Sequence, residues 1–376
     1  MIDLKTIRPD TVNVLIGPNG SGKSRLLRQL CKGFLDQKEH VIAIAPTIYD
    51  RFHFRARKHF RFLGARQGRN IAVKVVRDAL IRTWSENTLV LKNLTRALDY
   101  TKFEPCVGIG LFNVSLDFFP DAAARLPRDE AEALHAALLK WQKRGLGNRV
   151  MQLSLKSHSW SEIDNLSFAV LAKHERLLRQ THVARMEYFF YRDSRPIPLL
   201  EACSGELCFI TTVAFISTEI QRNSVILIDE PDTSLHPTWQ QSYVRTLLDL
   251  FHHYQPRIAI STHSPIIISG AEAASDEVFV YEIKGENALP FDHTTLSLEE
   301  MYDRLFGLIT PKNHYLSQRA VALLNSLNSG DQNLDQVLLG LGALRTKSYD
   351  EKQQAVITKF EDMARRLELM REGRRA

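Results

Sequence analysis

Residues 12–24 read VNVLIGPNGSGKS, an apolar run that opens into a glycine-rich turn and closes on lysine and serine. Gly17, Pro18, Asn19, Gly20, Ser21, Gly22, Lys23 and Ser24 fit the pattern G-x-x-x-x-G-K-[ST]. In that pattern the glycines let the backbone curl tightly, so that successive N–H groups point inward at phosphate oxygens. The helix that follows adds the positive end of its dipole. Lys23 reaches the β- and γ-phosphates as a mobile charge, and the Ser24 hydroxyl is a ligand for Mg²⁺. The flanks suit this reading: VNVLI predicts a strand before the loop, and SRLLRQLCKGFL after it predicts a helix. The expected ligands are therefore ATP and Mg²⁺.

A second stretch, VILIDEP (225–231), is a buried strand ending in two carboxylates. Paired with the phosphate loop, it places Asp229 to hold Mg²⁺ through its water shell and Glu230 as the group that orients and deprotonates an attacking water. Hydrolysis of ATP to ADP and phosphate is the expected reaction. Such transfer needs positioning and charge neutralisation more than covalent chemistry.

The chain has 376 residues, 44% hydrophobic and 24% charged, with 49 Lys and Arg against 43 Asp and Glu, a net charge of +6. These values suit a globular protein with a large core. No apolar run reaches the length of a membrane span, and the start, MIDLKTIRPD, lacks the apolar segment of a secretory signal. Cys31, Cys106, Cys203 and Cys208 are scattered without zinc spacing, so reduced thiols, a cytoplasmic location and no membrane association are expected.

The nucleotide-binding elements come in two blocks, 1–50 and 196–292. The first reads strand, loop, helix, strand (VIAIAP, 41–46). The second reads helix (206–220), strand (225–229), helix (238–253) and strands at 257–261 and 278–283. This alternation predicts an α/β fold, a mostly parallel sheet flanked by helices with ligands at the carboxyl ends of its strands. Residues 51–195 form an insertion expected to be mainly helical, with helical spacing over 71–84, 129–143 and 161–179 and boundaries near Gly145 and Gly147. Residues 293–376 are expected to form a helical C-terminal region, with a break at Thr310-Pro311.

Three further motifs refine the class: ACSGEL (202–207) before a helix, SLHP (234–237) after the acidic pair, and STHSP (261–265) at the end of the next strand. In this order the set resembles the heads of ABC-type ATPases, and DEPDTSLHP with THSP is closer to the SMC- and OLD-related branch than to membrane transporters. The resemblance implies a P-loop NTPase with an ABC-type head. It implies that Ser204 and Gly205 contact the γ-phosphate of nucleotide on a second subunit. Ser234 would lie at the dimer seam, and His263 would bond the γ-phosphate and the attacking water. Simpler readings stand beside these: a capping or core role for His263, and a helix N-cap for Ser204. Cys203, Glu206 and Leu207 depart from the family's signature. No aromatic ring precedes the first strand, and APTIYDRF after the second offers no glutamine.

Short ATPases with a helical insertion and a tail such as SLEEMYDRLFGLITPKNHYL (297–316) resemble the ATPase subunits of prokaryotic anti-phage systems, including the Septu type. That implies an ATP-dependent dimer controlling a separate nuclease or toxin. A DNA-repair or chromosome-maintenance ATPase and a nucleotide sensor with negligible turnover are the alternatives. Residues 264–376 show no glutamate plus D-x-D arrangement, so no nuclease activity of the chain itself is expected. The segment 51–69 interleaves Arg51, Arg55, Arg57, Lys58, Arg61 and Arg66 with Phe52, Phe54, Phe60 and Phe62 and holds no acidic residue. It fits a nucleic-acid surface, and slightly better an antiparallel edge strand with its aromatic face in the core and its basic face in water.

Overall fold

VNVLI and VILID are buried at every position, as strands covered on both faces must be. In the computed structural model, which describes residues 7–54, 58–84, 88–143, 150–156, 162–293, 296–306, 314–346 and 351–375, they lie in the middle of one large sheet. Along the chain come β1 (Val12–Ile16), α1 (Lys23–Asp36), β2 (Val41–Ala45) and β3 (Phe60–Gly64). The insertion follows with α2 (Ile71–Trp84), α3 (Thr88–Tyr100), β4 (Cys106–Phe112), α4 (Phe119–Ala123), α5 (Arg128–Lys143), β5 (Val150–Ser154), α6 (Glu162–Lys173), α7 (Glu175–Gln180), β6 (Arg185–Arg192) and β7 (Arg195–Pro198). The second block supplies α8 (Ser204–Glu219), β8 (Val225–Asp229), α9 (Pro237–Phe251), β9 (Arg257–Thr262), α10 (Pro265–Glu272), β10 (Val278–Lys284) and β11 (Asn287–Pro290). Four helices end the chain: α11 (Leu298–Phe306), α12 (His314–Ser329), α13 (Leu334–Thr346) and α14 (Glu351–Arg375).

The seven strands of the large sheet run in the order β11-β10-β1-β9-β8-β2-β3, all parallel except the β10–β11 hairpin. Alternate side chains face opposite layers. Leu15, Val41, Ala43, Val225 and Leu227 pack with Leu26, Leu27, Leu30, Cys31 and Phe34 of α1, whose apolar positions recur at helical spacing. Val14, Ile16, Ile42, Ile226, Ile228 and Ile260 form the other face, beneath α8, α9 and α10. The sequence of α8, GELCFITTVAFIST, is apolar almost all round because the helix is sandwiched between the sheet and α2 and α3. One hydrophobic core therefore runs from the sheet into the insertion.

The register sets the site. Ile16 pairs with Thr262 and Asp229 with Ser261, so the carboxyl ends of β1, β9 and β8 stand in a row, where an α/β sheet offers its ligand crevice.

The insertion holds more sheet than its sequence announced. β4, β5, β6 and β7 make a four-stranded antiparallel sheet in the order β5-β4-β6-β7. The 51–69 segment does contain an edge strand, β3, but it pairs parallel to β2 rather than antiparallel. Phe52 is buried, and Phe54, Phe60 and Phe62 pack against the α1 layer, while Arg61 pairs with Glu219 and Arg66 with Asp50. Arg55, Arg57, Gly145, Gly147, Thr310 and Pro311 lie outside the described residues. In the C-terminal region α11 joins the main core through Met301 and Leu305, and α12, α13 and α14 pack around a core of their own. Among the described residues no helix is long and apolar enough to cross a membrane.

Candidate active site

Gly22 precedes α1 with φ 103, a left-handed backbone that favours glycine. A Cβ there would also sit 2.4 Å from the Gly285 carbonyl oxygen in the β10–β11 turn. The first turn of α1 has no side-chain cap and no acidic residue. Its N–H groups and the positive end of its dipole are thus left for an anion. Pro18, Asn19 and Gly20 form the exposed tip of the loop, and Lys23 is buried beneath it, 4% exposed.

The Lys23 ammonium donates to the carbonyls of Gly17 (3.0 Å) and Pro18 (3.2 Å) and lies against the His263 ring, 3.3 Å from Nδ1 and 2.8 Å from Nε2. His263 Nε2 is in turn 3.1 Å from Glu230 Oε1. The ring therefore lies between a donor, the Lys23 ammonium, and an acceptor, the Glu230 carboxylate. Burial pulls the Lys23 pKa below its ordinary value, opposed by the charges of Glu230, Asp229 and Asp232. The His263 hydrogen bond holds the Glu230 carboxyl below its usual range against the effect of burial, and the Lys23 charge adds to the shift.

Ser24 Oγ donates to Asp229 Oδ1 at 3.0 Å, and the buried Ser261 hydroxyl donates to the same oxygen. Burial pushes the Asp229 carboxyl above its ordinary value, against the lowering effect of those two hydroxyls. Two hard oxygen donors side by side at the phosphate end of the loop suit Mg²⁺, which takes one or two protein oxygens and fills its octahedron with water and phosphate. Among the described residues, no three His, Cys, Asp or Glu side chains are grouped closely enough to hold a metal on their own.

Five predicted residues, Lys23, Ser24, Asp229, Glu230 and His263, are thus brought together. Ser204, Gly205 and Ser234 form a second group. Ser204 is exposed at the start of α8, and Gly205 packs so closely on the turn after β8 that a Cβ would lie 2.3 Å from the Ser234 carbonyl oxygen. The departure at Glu206 has a local reason. Its carboxylate accepts the Cys203 N–H at 3.2 Å as a helix cap and pairs at 2.8 Å with Arg192, which stacks over Phe103. In APTIYDRF, Asp50 is buried, caps Phe52 N–H and pairs with Arg66.

Sequence reasoning missed the polar residues that join the loops: Asp232, Gln240, Ser261 and Thr262. Ser261 and Thr262 were within the quoted STHSP motif, and Asp232 is the second acid of DEPD, so the positions were visible without their partners.

Among known families, residues 117–269 match the model described as "AAA domain, putative AbiEii toxin, Type IV TA system". Among curated proteins, the chain is similar to protein ea59 of Escherichia phage lambda, at 27% identity over 34% of this chain and 25% of the relative. It is also similar to the "Retron Vc95 probable ATPase" of Vibrio cholerae serotype O1 biovar El Tor, at 23% identity over 34% of this chain and 29% of the relative. The chain thus spans less than a third of the length of either relative. Among solved structures, VirB4 of Thermoanaerobacter pseudethanolicus aligns over 85% of this chain and 86% of that one, with 13% identity and a TM-score of 0.30. A superposition that loose carries no assignment.

Proposed function

We propose that the protein binds and hydrolyses ATP with Mg²⁺ in the crevice at the ends of β1, β8 and β9. The observation that carries this reading is the chain of contacts from Lys23 through His263 to Glu230, beside the Ser24–Asp229 pair. Loop N–H groups and the α1 N-terminus hold the phosphates, and Lys23 neutralises their charge. Ser24 and Asp229 hold Mg²⁺, which would offset charge on the phosphate oxygens when bound. Glu230 takes the proton of the attacking water, and its lowered pKa keeps it ionised for that task. His263 leaves Lys23 for the γ-phosphate, donating its ring N–H to a phosphate oxygen beside the water that Glu230 orients.

In its finer form the reading is an ABC-type dimer, closed by ATP across the Ser204-Gly205 and Ser234 faces, that controls a separate effector in prokaryotic anti-phage defence, as in the Septu-type subunits that the motifs resemble. The similarity to a protein named as a retron ATPase, and to a family described by a toxin–antitoxin system, supports a defence role. The effector docks on the insertion or the C-terminal helices. Light scattering of Glu230→Gln protein with and without ATP and Mg²⁺ tests assembly: a doubling of mass with ATP is expected, and an unchanged mass removes the dimer. Phosphate release by the wild-type protein tests the chemistry, and its absence under any nucleotide and Mg²⁺ condition removes the ATPase.

A further inference from the structure

Glu230 and His263 belong to different loops, after β8 and β9, and their 3.1 Å contact depends on what ties those loops together. Glu230 has φ 53 and ψ 56, a left-handed backbone that disfavours a residue with a Cβ, so its neighbours must hold it there. Thr233 Oγ1 donates to its carbonyl at 3.0 Å, and its N–H donates to the Ser261 carbonyl at 2.9 Å. The side chain that reaches across to the histidine belongs to Asp232. Its Oδ1 accepts the Thr262 hydroxyl at 2.6 Å, and its Oδ2 accepts the His263 backbone N–H at 3.4 Å.

The contact is closed into a circuit. Thr262, fully buried, accepts the Ser264 N–H at 2.9 Å, and the Ser264 hydroxyl donates to Gln240 Oε1 at 2.6 Å. The Gln240 amide then donates back to the carbonyls of Asp232 (3.2 Å) and Leu235 (2.9 Å). Tyr302 of α11 lies against Ser264 and within the field of Asp232, so the circuit ends on the first helix of the C-terminal region. A turn that needed only to be capped would not require bonds to both residues that flank the end of a second strand.

We propose that Asp232 is a positioning residue, which clamps the Glu230 loop to the His263 loop and so sets the geometry of the Glu230–His263 pair. The proposal rests on the ATPase reading above and names a residue that acts through His263 rather than on nucleotide.

The test uses full-length Asp232→Ala, Asp232→Asn and Thr262→Val, with Asp232→Ala also made in a His263→Ala background. Asp232→Ala should lower kcat roughly 10- to 100-fold, the range for losing a charge-assisted hydrogen bond, with KM and ATP affinity within about twofold of wild type. Asp232→Asn keeps an acceptor for Thr262 and should lose only about threefold. In the His263→Ala background Asp232→Ala should cost nothing more, because the residue through which it acts is gone. Nitrogen-correlated NMR spectra of the imidazoles, recorded without nucleotide, should show the His263 ring signals displaced in Asp232→Ala. Losses that add in full to that of His263→Ala, a raised KM at unchanged kcat, or unmoved His263 signals would each overturn the proposal. If Asp232→Ala fails to fold, Asp232→Asn and Thr262→Val carry the same comparisons. If the wild-type protein turns over no ATP, the ATPase reading fails, while the spectra still decide whether Asp232 positions the histidine.

Discussion

Replacing Glu230 by Gln should have two separable effects. The amide keeps the shape of the side chain but cannot take a proton from water, so turnover should fall roughly 100-fold or more, as when a positioned base is lost. The second effect reaches Lys23. Burial lowers its pKa, and the Glu230 charge is the strongest influence opposing that fall. Through His263 Nε2, 2.8 Å from the ammonium and 3.1 Å from the carboxylate, the two charges are at most about 6 Å apart, and at an effective dielectric of about 20 their attraction is about 3 kcal/mol. The Glu230 side chain is 25% exposed, so water screens part of that attraction, and loss of the Glu230 charge should lower the Lys23 pKa further. Lys23 binds phosphate as a cation, which it is only below its pKa. Lowering that pKa moves the alkaline loss of ATP affinity to lower pH in the variant relative to wild type. Calorimetric titration of each protein with ATP and Mg²⁺ over a series of pH values reads this directly. Coincident alkaline midpoints would refute the coupling of Glu230 to Lys23, and equal turnover would refute Glu230 as the base.

Other expectations follow from single contacts. Gly205→Ala places a Cβ about where the Ser234 carbonyl stands, 2.3 Å away; the turn must shift, and urea unfolding should show a loss of about 1–3 kcal/mol, an unchanged midpoint contradicting the packing. Burial lowers the pKa of His40 below 6.5, so as pH falls below about 6.5 the unfolded chain takes up the proton first and stability declines with acidity; His40→Asn should flatten that part of the stability–pH curve, and an unaltered slope would exclude His40. Mixing Lys23→Ala subunits with Ser204→Arg subunits should restore one intact site per heterodimer, and a mixture as inactive as either parent would exclude a site shared between subunits.

Much of the sheet and its loop could be read from sequence because the signals are local. Val225–Asp229 was placed to the residue, and α2 matches the predicted 71–84. Those segments declare themselves through continuous apolar runs or helical spacing. The small antiparallel sheet did not. In CVGIGLF of β4, Gly108 and Gly110 break the alternation because a Val150 methyl at the first and the Phe112 ring at the second crowd the space that a Cβ would take, so the strand lacks the pattern that would reveal it. The direction of β3 was hidden for another reason: alternation reports which faces are buried, not which way the neighbouring strand runs. At the site, Lys23, Ser24, Asp229, Glu230 and His263 were legible from their motifs. The Asp232–Thr262 bond was not, because it joins residues 30 apart that only the pairing of β8 with β9 brings together.

ATP hydrolysis at this crevice is tested most directly by measuring ATP affinity and phosphate release on the same preparations of wild-type, Lys23→Ala and Glu230→Gln protein. Three distinct patterns are expected: binding with turnover in wild type, weakened binding in Lys23→Ala, and retained binding with turnover reduced roughly 100-fold or more in Glu230→Gln. Lys23→Ala binding ATP as tightly as wild type, or Glu230→Gln releasing phosphate at the wild-type rate, would contradict hydrolysis at this crevice.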